Sequence, residues 1–193
     1  VTEIASFMAD ANAAAGERLP KALIVPHAGY VYSGAVAASA YALLQPLRAT
    51  IRRVVLLGPT HRVAIRGLAT SAADGFATPL GEVRLDRTAI DAALRLPQVV
   101  ASDAAHAQEH SLEVQLPFLQ SLFEDFALVP FAVGDASPGE VAEVLELLWG
   151  GDETLIVMCG EMGRTPRISP ISAGGRNASG EILTPGRHHW GDV

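Results

Sequence analysis

Four short aliphatic runs, at residues 21–25, 53–57, 126–133 and 154–158, constrain this chain more than any other feature. Each is short for a helix and rich in Val, Ile and Leu, so each is read as a strand. Helix-patterned stretches lie between and around them, at 33–47, 86–96, 114–123 and 138–149, and an Ala-rich stretch at 2–15 precedes them all. Asp86 is placed to cap the helix it opens, and Pro138 suits the start of another. Pro117 must sit in the first turn of the 114–123 helix or kink it. Thr78-Pro79-Leu80-Gly81 reads as a turn between two weak strands. Strands alternating with helices predict an α/β fold with a mostly parallel central sheet covered by helices.

Composition narrows the functional classes. With 49% hydrophobic and 18% charged residues, the 193-residue chain can bury a real core and is not intrinsically disordered. A formal net charge of -7 opposes nucleic-acid binding through phosphates and a polybasic membrane-surface role. No apolar run approaches the roughly 20 residues of a spanning helix. The single Cys cannot form an internal disulfide. The start, Val1-Thr2-Glu3, has neither a basic nor an apolar leader segment, so no signal peptide and a cytoplasmic location are expected. It also lacks an initiator Met, in keeping with a processed chain or a fragment.

The histidines carry the chemical signal. His27 follows the first strand in Pro26-His27-Ala28-Gly29-Tyr30, and His61 follows the second in Gly58-Pro59-Thr60-His61-Arg62. Ligand sites of open α/β sheets lie outside the carboxyl ends of the strands. If the two strands are parallel neighbours, both imidazoles emerge at one edge, suited to a transition metal or to acid–base work. The competing reading is two unrelated loop histidines. A third motif, Ala105-His106-Ala107-Gln108-Glu109-His110-Ser111-Leu112-Glu113, places Glu109 and His110 near a helix N-terminus. His106 and His110 are four apart, but Glu109 neighbours the second His, so the zinc-protease pattern is not met. His110 is taken as functional, His106 as a loop residue, and Glu109 as either a helix cap or a cleft residue. Cys159 follows the last strand and is a weak candidate ligand, more simply a buried apolar residue. Tyr30 and Tyr32 flank the first motif and either line a cleft or pack. Nucleophile-elbow, P-loop and dinucleotide-binding patterns are all absent from the sequence.

Taken together, PHAGYVYSG (26–34), VVLLGPTHR (54–62), TPLGEVRLD (78–86) and EHSLEVQLPFLQ (109–120) resemble the Memo family, over about residues 21–157. Its bacterial members go by the name AmmeMemoRadiSam system protein B. The resemblance implies a fold similar to class III extradiol dioxygenases, which use non-haem iron. It implies that the family's cleft histidines fall on His27, His61 and His110, with a divalent metal, iron first and copper second. It also implies a link to AMMECR-type and radical SAM proteins. Redox and phosphopeptide-binding roles are both proposed in the family. The family's later cleft segment and last helices are not matched, so the resemblance implies a C-terminally truncated domain with one sheet face uncovered.

From Cys159 onward the composition changes: about 10 of 35 residues are hydrophobic and seven of the 18 glycines fall there. The expected organisation is an incomplete Memo-like domain at 1–158 and a Gly-rich tail at 159–193, read as loop, disordered chain or a piece of another protein. GEMGRTPRI (160–168) and GRHHWGDV (186–193) resemble a fragment of a sulfatase- and alkaline-phosphatase-like family. That resemblance implies His188 or His189 as a metal ligand, against a solvated terminal pair. A junction near Val157 would then be a genuine fusion or an assembly artefact.

The leading expectation is a metal-binding cleft in which His27 and His61 are ligands and His110 is a third ligand or an acid–base group. Tyr32 and Glu109 line it. Iron-dependent oxygen chemistry on an aromatic, diol-like small molecule is the first activity to expect. The alternatives are a non-catalytic module that binds a peptide or partner in the same cleft, and a hydrolase fragment.

Overall fold

In the computed structural model, residues 2–11, 19–160, 164–169 and 186–189 are described. The chain divides into two units, residues 1–160 and 161–193. In the first unit the aliphatic runs form strands: β1 (Ala22–Pro26), β2 (Arg53–Pro59), β7 (Ala127–Val133) and β8 (Thr154–Gly160). Three shorter or weaker stretches add β3 (Leu68–Thr70), the β4–β5 hairpin (Gly75–Thr78 and Gly81–Arg84) and β6 (Val99–Ala101). Gly81 closes the predicted turn with φ +116, a conformation that side-chain-bearing residues rarely adopt.

The main sheet has the order β1-β8-β2-β7-β3-β6. All neighbours are parallel except β3 with β7. Val54, Val55, Leu56 and Leu57 of β2 are all buried, as a central strand covered on both faces requires. Each such side chain contributes about 1.5–3 kcal/mol by leaving water. The β1 strand lies at an edge and alternates instead, with Leu23 and Val25 buried and Ile24 80% exposed.

Helices α1 (Thr2–Asp10), α2 (Tyr30–Ala42), α3 (Arg87–Ala93), α4 (Asp103–His106), α5 (His110–Glu113), α6 (Leu116–Leu122) and α7 (Pro138–Leu148) complete the unit. The α2 helix begins three residues before the expected 33. Its first amides bond the Gly29 carbonyl, at 2.9 Å from Tyr32 and 3.1 Å from Ser33. It stops at Ala42, and Pro46 permits only a 3-10 turn at Gln45–Leu47. The Asp86 side chain caps α3 through the Ala89 N–H at 3.0 Å. Ser137 and Glu140 cap α7 reciprocally, with Pro138 in its first turn. Pro117 opens α6, the expected 114–123 helix is realised only as Leu116–Leu122, and a separate short turn, α5, precedes it at His110–Glu113.

One polar link ties this packing to the edge that carries His27. Fully buried Tyr41 stacks on Phe118 with ring centroids 5.0 Å apart. Its hydroxyl donates to Gln115 Oε1 at 2.9 Å, and Gln115 Nε2 donates to the Pro26 carbonyl at 3.0 Å. In the second unit, β9 (Arg164–Ser169) and β10 (Gly186–His189) pair antiparallel.

Candidate metal centre

His27 stands directly after β1, His61 two residues after β2, and His110 on the first turn of α5. The first two leave the sheet at the carboxyl ends of parallel strands, where α/β sheets bind ligands. The expected neighbour relation between β1 and β2 is corrected by the sheet order: β8 lies between them, pairing Ile24 with Met158 and Leu57 with the same Met158. The rings nevertheless meet beyond the strand ends. Ring centroids are 5.2 Å apart for His27 and His61, 5.7 Å for His27 and His110, and 4.8 Å for His61 and His110. One ligating nitrogen from each lies within 4.8 Å of the others. His27 is buried, whereas the His110 side chain is 51% exposed.

Glu109 organises this group. Its carboxylate accepts the His61 backbone N–H at 2.5 Å, faces the His61 Nδ1 at 2.8 Å and accepts the Ser111 N–H at 3.0 Å. It therefore caps α5 and holds His61 at once. A carboxylate opposite Nδ1 keeps the proton there and puts the ligating lone pair on Nε2. Burial by itself would raise the Glu109 pKa. The hydrogen bonds from the His61 ring, the Ser111 N–H and the His61 N–H outweigh it and bring the pKa down to about 2. The group thus holds a fixed negative charge behind the imidazoles. The same carboxylate lies 3.5 Å from His110 Nδ1.

Close packing at the back of the site fixes α5 against β2. Ser111 Oγ donates to the Pro59 carbonyl at 2.8 Å. The Cys159 thiol points to the Ser111 carbonyl at 3.1 Å. A Cβ at Gly58 would lie 2.5 Å from Cys159 Sγ and 3.0 Å from Ser111 Oγ, so only glycine allows this approach. Burial pushes the Cys159 thiol up to about 12, which keeps it a neutral donor behind the histidines. Ser111 carries no sequence signal of its own. The placement of glycine at the end of a strand was the one available hint.

Tyr32 is 77% exposed on the first turn of α2. Tyr30 packs, with its ring edge-on to Phe118 and its hydroxyl donating to the Val114 carbonyl at 3.1 Å. His106 is no loop residue: it ends α4, faces the Ala69 carbonyl through Nε2 at 3.1 Å and lies against Phe76. The extended backbone of Glu109 separates α4 from α5, so His106 and His110 do not share a helix face. His188 and His189 fall on β10, and their side chains lie outside the described residues.

The family model described as Memo-like protein matches residues 2–164. Among curated relatives, a MEMO1 family protein of Ignicoccus hospitalis is 46% identical over 124 residues, covering 63% of this chain and 43% of that one. One from Aquifex aeolicus is 40% identical over 115 residues, covering 59% and 42%. One from Sulfolobus acidocaldarius is 38% identical over 149 residues, covering 74% and 52%. The chain spans about half the length of these relatives. Among the described residues, no helix is long and apolar enough to cross a membrane.

Proposed function

As the chain belongs to the Memo family, we propose that His27, His61 and His110 hold one divalent metal, iron first and copper second, for non-haem, dioxygenase-type redox chemistry. The single observation that carries this reading is the convergence of three ring nitrogens within 4.8 Å. Three imidazoles on one metal stand roughly 3 Å apart at bond lengths near 2 Å, so small side-chain rotations suffice. Imidazole suits iron, copper and zinc, and the carboxylate on His61 Nδ1 is the usual partner of a metal-binding histidine. The family's relation to the extradiol dioxygenase fold favours iron among these.

An iron ion bound there would supply one-electron and oxygen chemistry that side chains lack. The chain's own residues do the rest. Glu109 fixes the tautomer of His61. Buried His27 closes the inner side of the site to water. His110, half-exposed, is the third ligand or, when not on the metal, the acid–base group beside an aromatic, diol-like substrate, and Tyr32 lines the cleft. The same reading places the protein in the cytoplasm, with a functional link to AMMECR-type and radical SAM proteins. In this reading the tail has a separate origin; the family match runs past its expected start at 159 to residue 164, and Cys159 itself packs behind the site.

The test is oxygen uptake by the Fe(II)-loaded full chain with a catechol as substrate. Iron-dependent uptake that is lost in His110→Ala supports the proposal. Absence of uptake in protein shown to hold one iron overturns the catalytic part. A second reading, a non-catalytic binding module, draws on the exposed side chains of Val31 and Tyr32 on α2, 84% and 77% accessible. Metal-independent peptide binding that is lost in Tyr32→Ala but kept in His61→Ala would favour it.

A further inference from the structure

A cavity of about 290 Å³ lies beside β4 and the α4–α5 segment, with Phe76, Leu112 and Leu116 as its apolar wall and His106, Glu109 and Glu113 as its polar one. A second, of about 320 Å³, is lined by Ile4, Tyr30, Leu80 and Pro117, and again by Glu113. The hairpin runs along both: residues 75–77 border the first and residues 78–80 the second. Glu113 lines both, so the two lie side by side along the hairpin and α5–α6, a groove in two parts with a carboxylate between them. Each part is near the lower limit of small-molecule sites.

Among the described residues the charge in this groove has one sign, and neither cavity is lined by Lys or Arg. Glu113 is exposed and makes no ion pair or side-chain hydrogen bond among the described residues. His106 adds no cation, since burial lowers its pKa. At the other end burial, then Glu113 and Glu3, push the Tyr30 hydroxyl up to about 12, so the field of these carboxylates reaches that wall. Apolar surface flanks the central carboxylate on both sides.

We infer that this groove binds a small organic amine, its ammonium on Glu113 and its apolar arm against Phe76, Leu112 and Leu116. The occupant follows from charge complementarity: an anion meets two carboxylates there, and a neutral aromatic leaves the Glu113 charge without a partner. An ammonium gains a charge-assisted hydrogen bond from Glu113, and an aryl arm gains an edge or face contact with Phe76. The site borders the imidazole group through Glu109, but its ammonium partner is Glu113 and it needs no metal.

The test uses the metal-free full chain with 2-phenylethylamine, 2-phenylethanol and phenylacetate as probes, read by amide shift perturbation in NMR. The amine should shift amides of residues 75–80 and 112–117 and bind about tenfold more tightly than the alcohol, with phenylacetate weaker still. Glu113→Gln changes an exposed side chain, so it should leave the fold intact while bringing the amine down to the alcohol's affinity. Equal binding of amine and alcohol, unchanged amine affinity in Glu113→Gln, or no amine binding at about 10 mM would overturn the inference. Because no metal is present, failure here leaves the metal centre standing, and failure of the metal centre leaves this groove standing.

Discussion

The Glu109 carboxylate holds His61 twice, by its backbone N–H at 2.5 Å and by its ring Nδ1 at 2.8 Å, across 48 residues of chain. One side chain therefore sets both where His61 stands and which nitrogen it offers. Glu109→Gln keeps an acceptor for the Ser111 N–H but removes the charge that polarises the ring. It should weaken metal affinity about 10–100-fold and also lower the thermal transition, because a buried carboxylate with its pKa held at about 2 stabilises the fold at neutral pH. Cobalt(II) titration followed by absorbance checks this, and an affinity unchanged within about twofold would rule out the orienting role.

Gly58 sits where a methyl group would press on Cys159 and Ser111. Gly58→Ala should destabilise by about 1–3 kcal/mol and move α5, because the site is packed from behind. Cys159→Ala removes the nearest obstacle and should recover part of that loss, with the Ser111 contact preventing full recovery. Urea midpoints of the two single variants and the double variant give the coupling directly. Simple additivity would show that the two positions do not share this contact.

Burial holds the Cys159 thiol at about 12, with its hydrogen on the Ser111 carbonyl. The native protein should therefore resist aromatic disulfide reagents at mildly alkaline pH and react only when unfolded. Rapid stoichiometric labelling of folded protein would contradict this.

Away from the site, Asp86 caps α3 and pairs with Arg53 Nε at 2.7 Å. Burial opposes its ionisation, but the Ala89 N–H, Arg53 and the Thr88 N–H prevail and lower its pKa below the ordinary 3.8. A lowered folded pKa means the stabilisation is complete above that ordinary value and is lost as pH falls through the folded one. Asp86→Ala should cost about 1–2 kcal/mol at neutral pH, and the difference should shrink below about pH 3. Thermal melts at the two pH values decide it, and a pH-independent difference would assign the effect to packing.

The central strands were legible because β2 and β8 are buried on both faces and so need unbroken aliphatic stretches. Leu68–Thr70 and Val99–Ala101 are three residues each and present no periodicity to read. His27 and His61 could be found as residues that follow strands. Their meeting could not be derived, because the insertion of β8 between β1 and β2 is a long-range pairing decision with no local signature. The double role of Glu109 was half legible: its place before a helix suggested a cap, but its grip on His61 depends on the fold. The exposure of Tyr32 likewise depends on where α2 begins, three residues earlier than its Ala-rich pattern suggests.

The central claim is that three imidazoles make one metal site. Anaerobic Fe(II) titration by calorimetry, on the intact chain and on the His27→Ala plus His61→Ala variant, tests it most directly. One ion per chain, with binding in the variant weakened at least about 100-fold, is the predicted result. Iron affinity unchanged in the variant would contradict it.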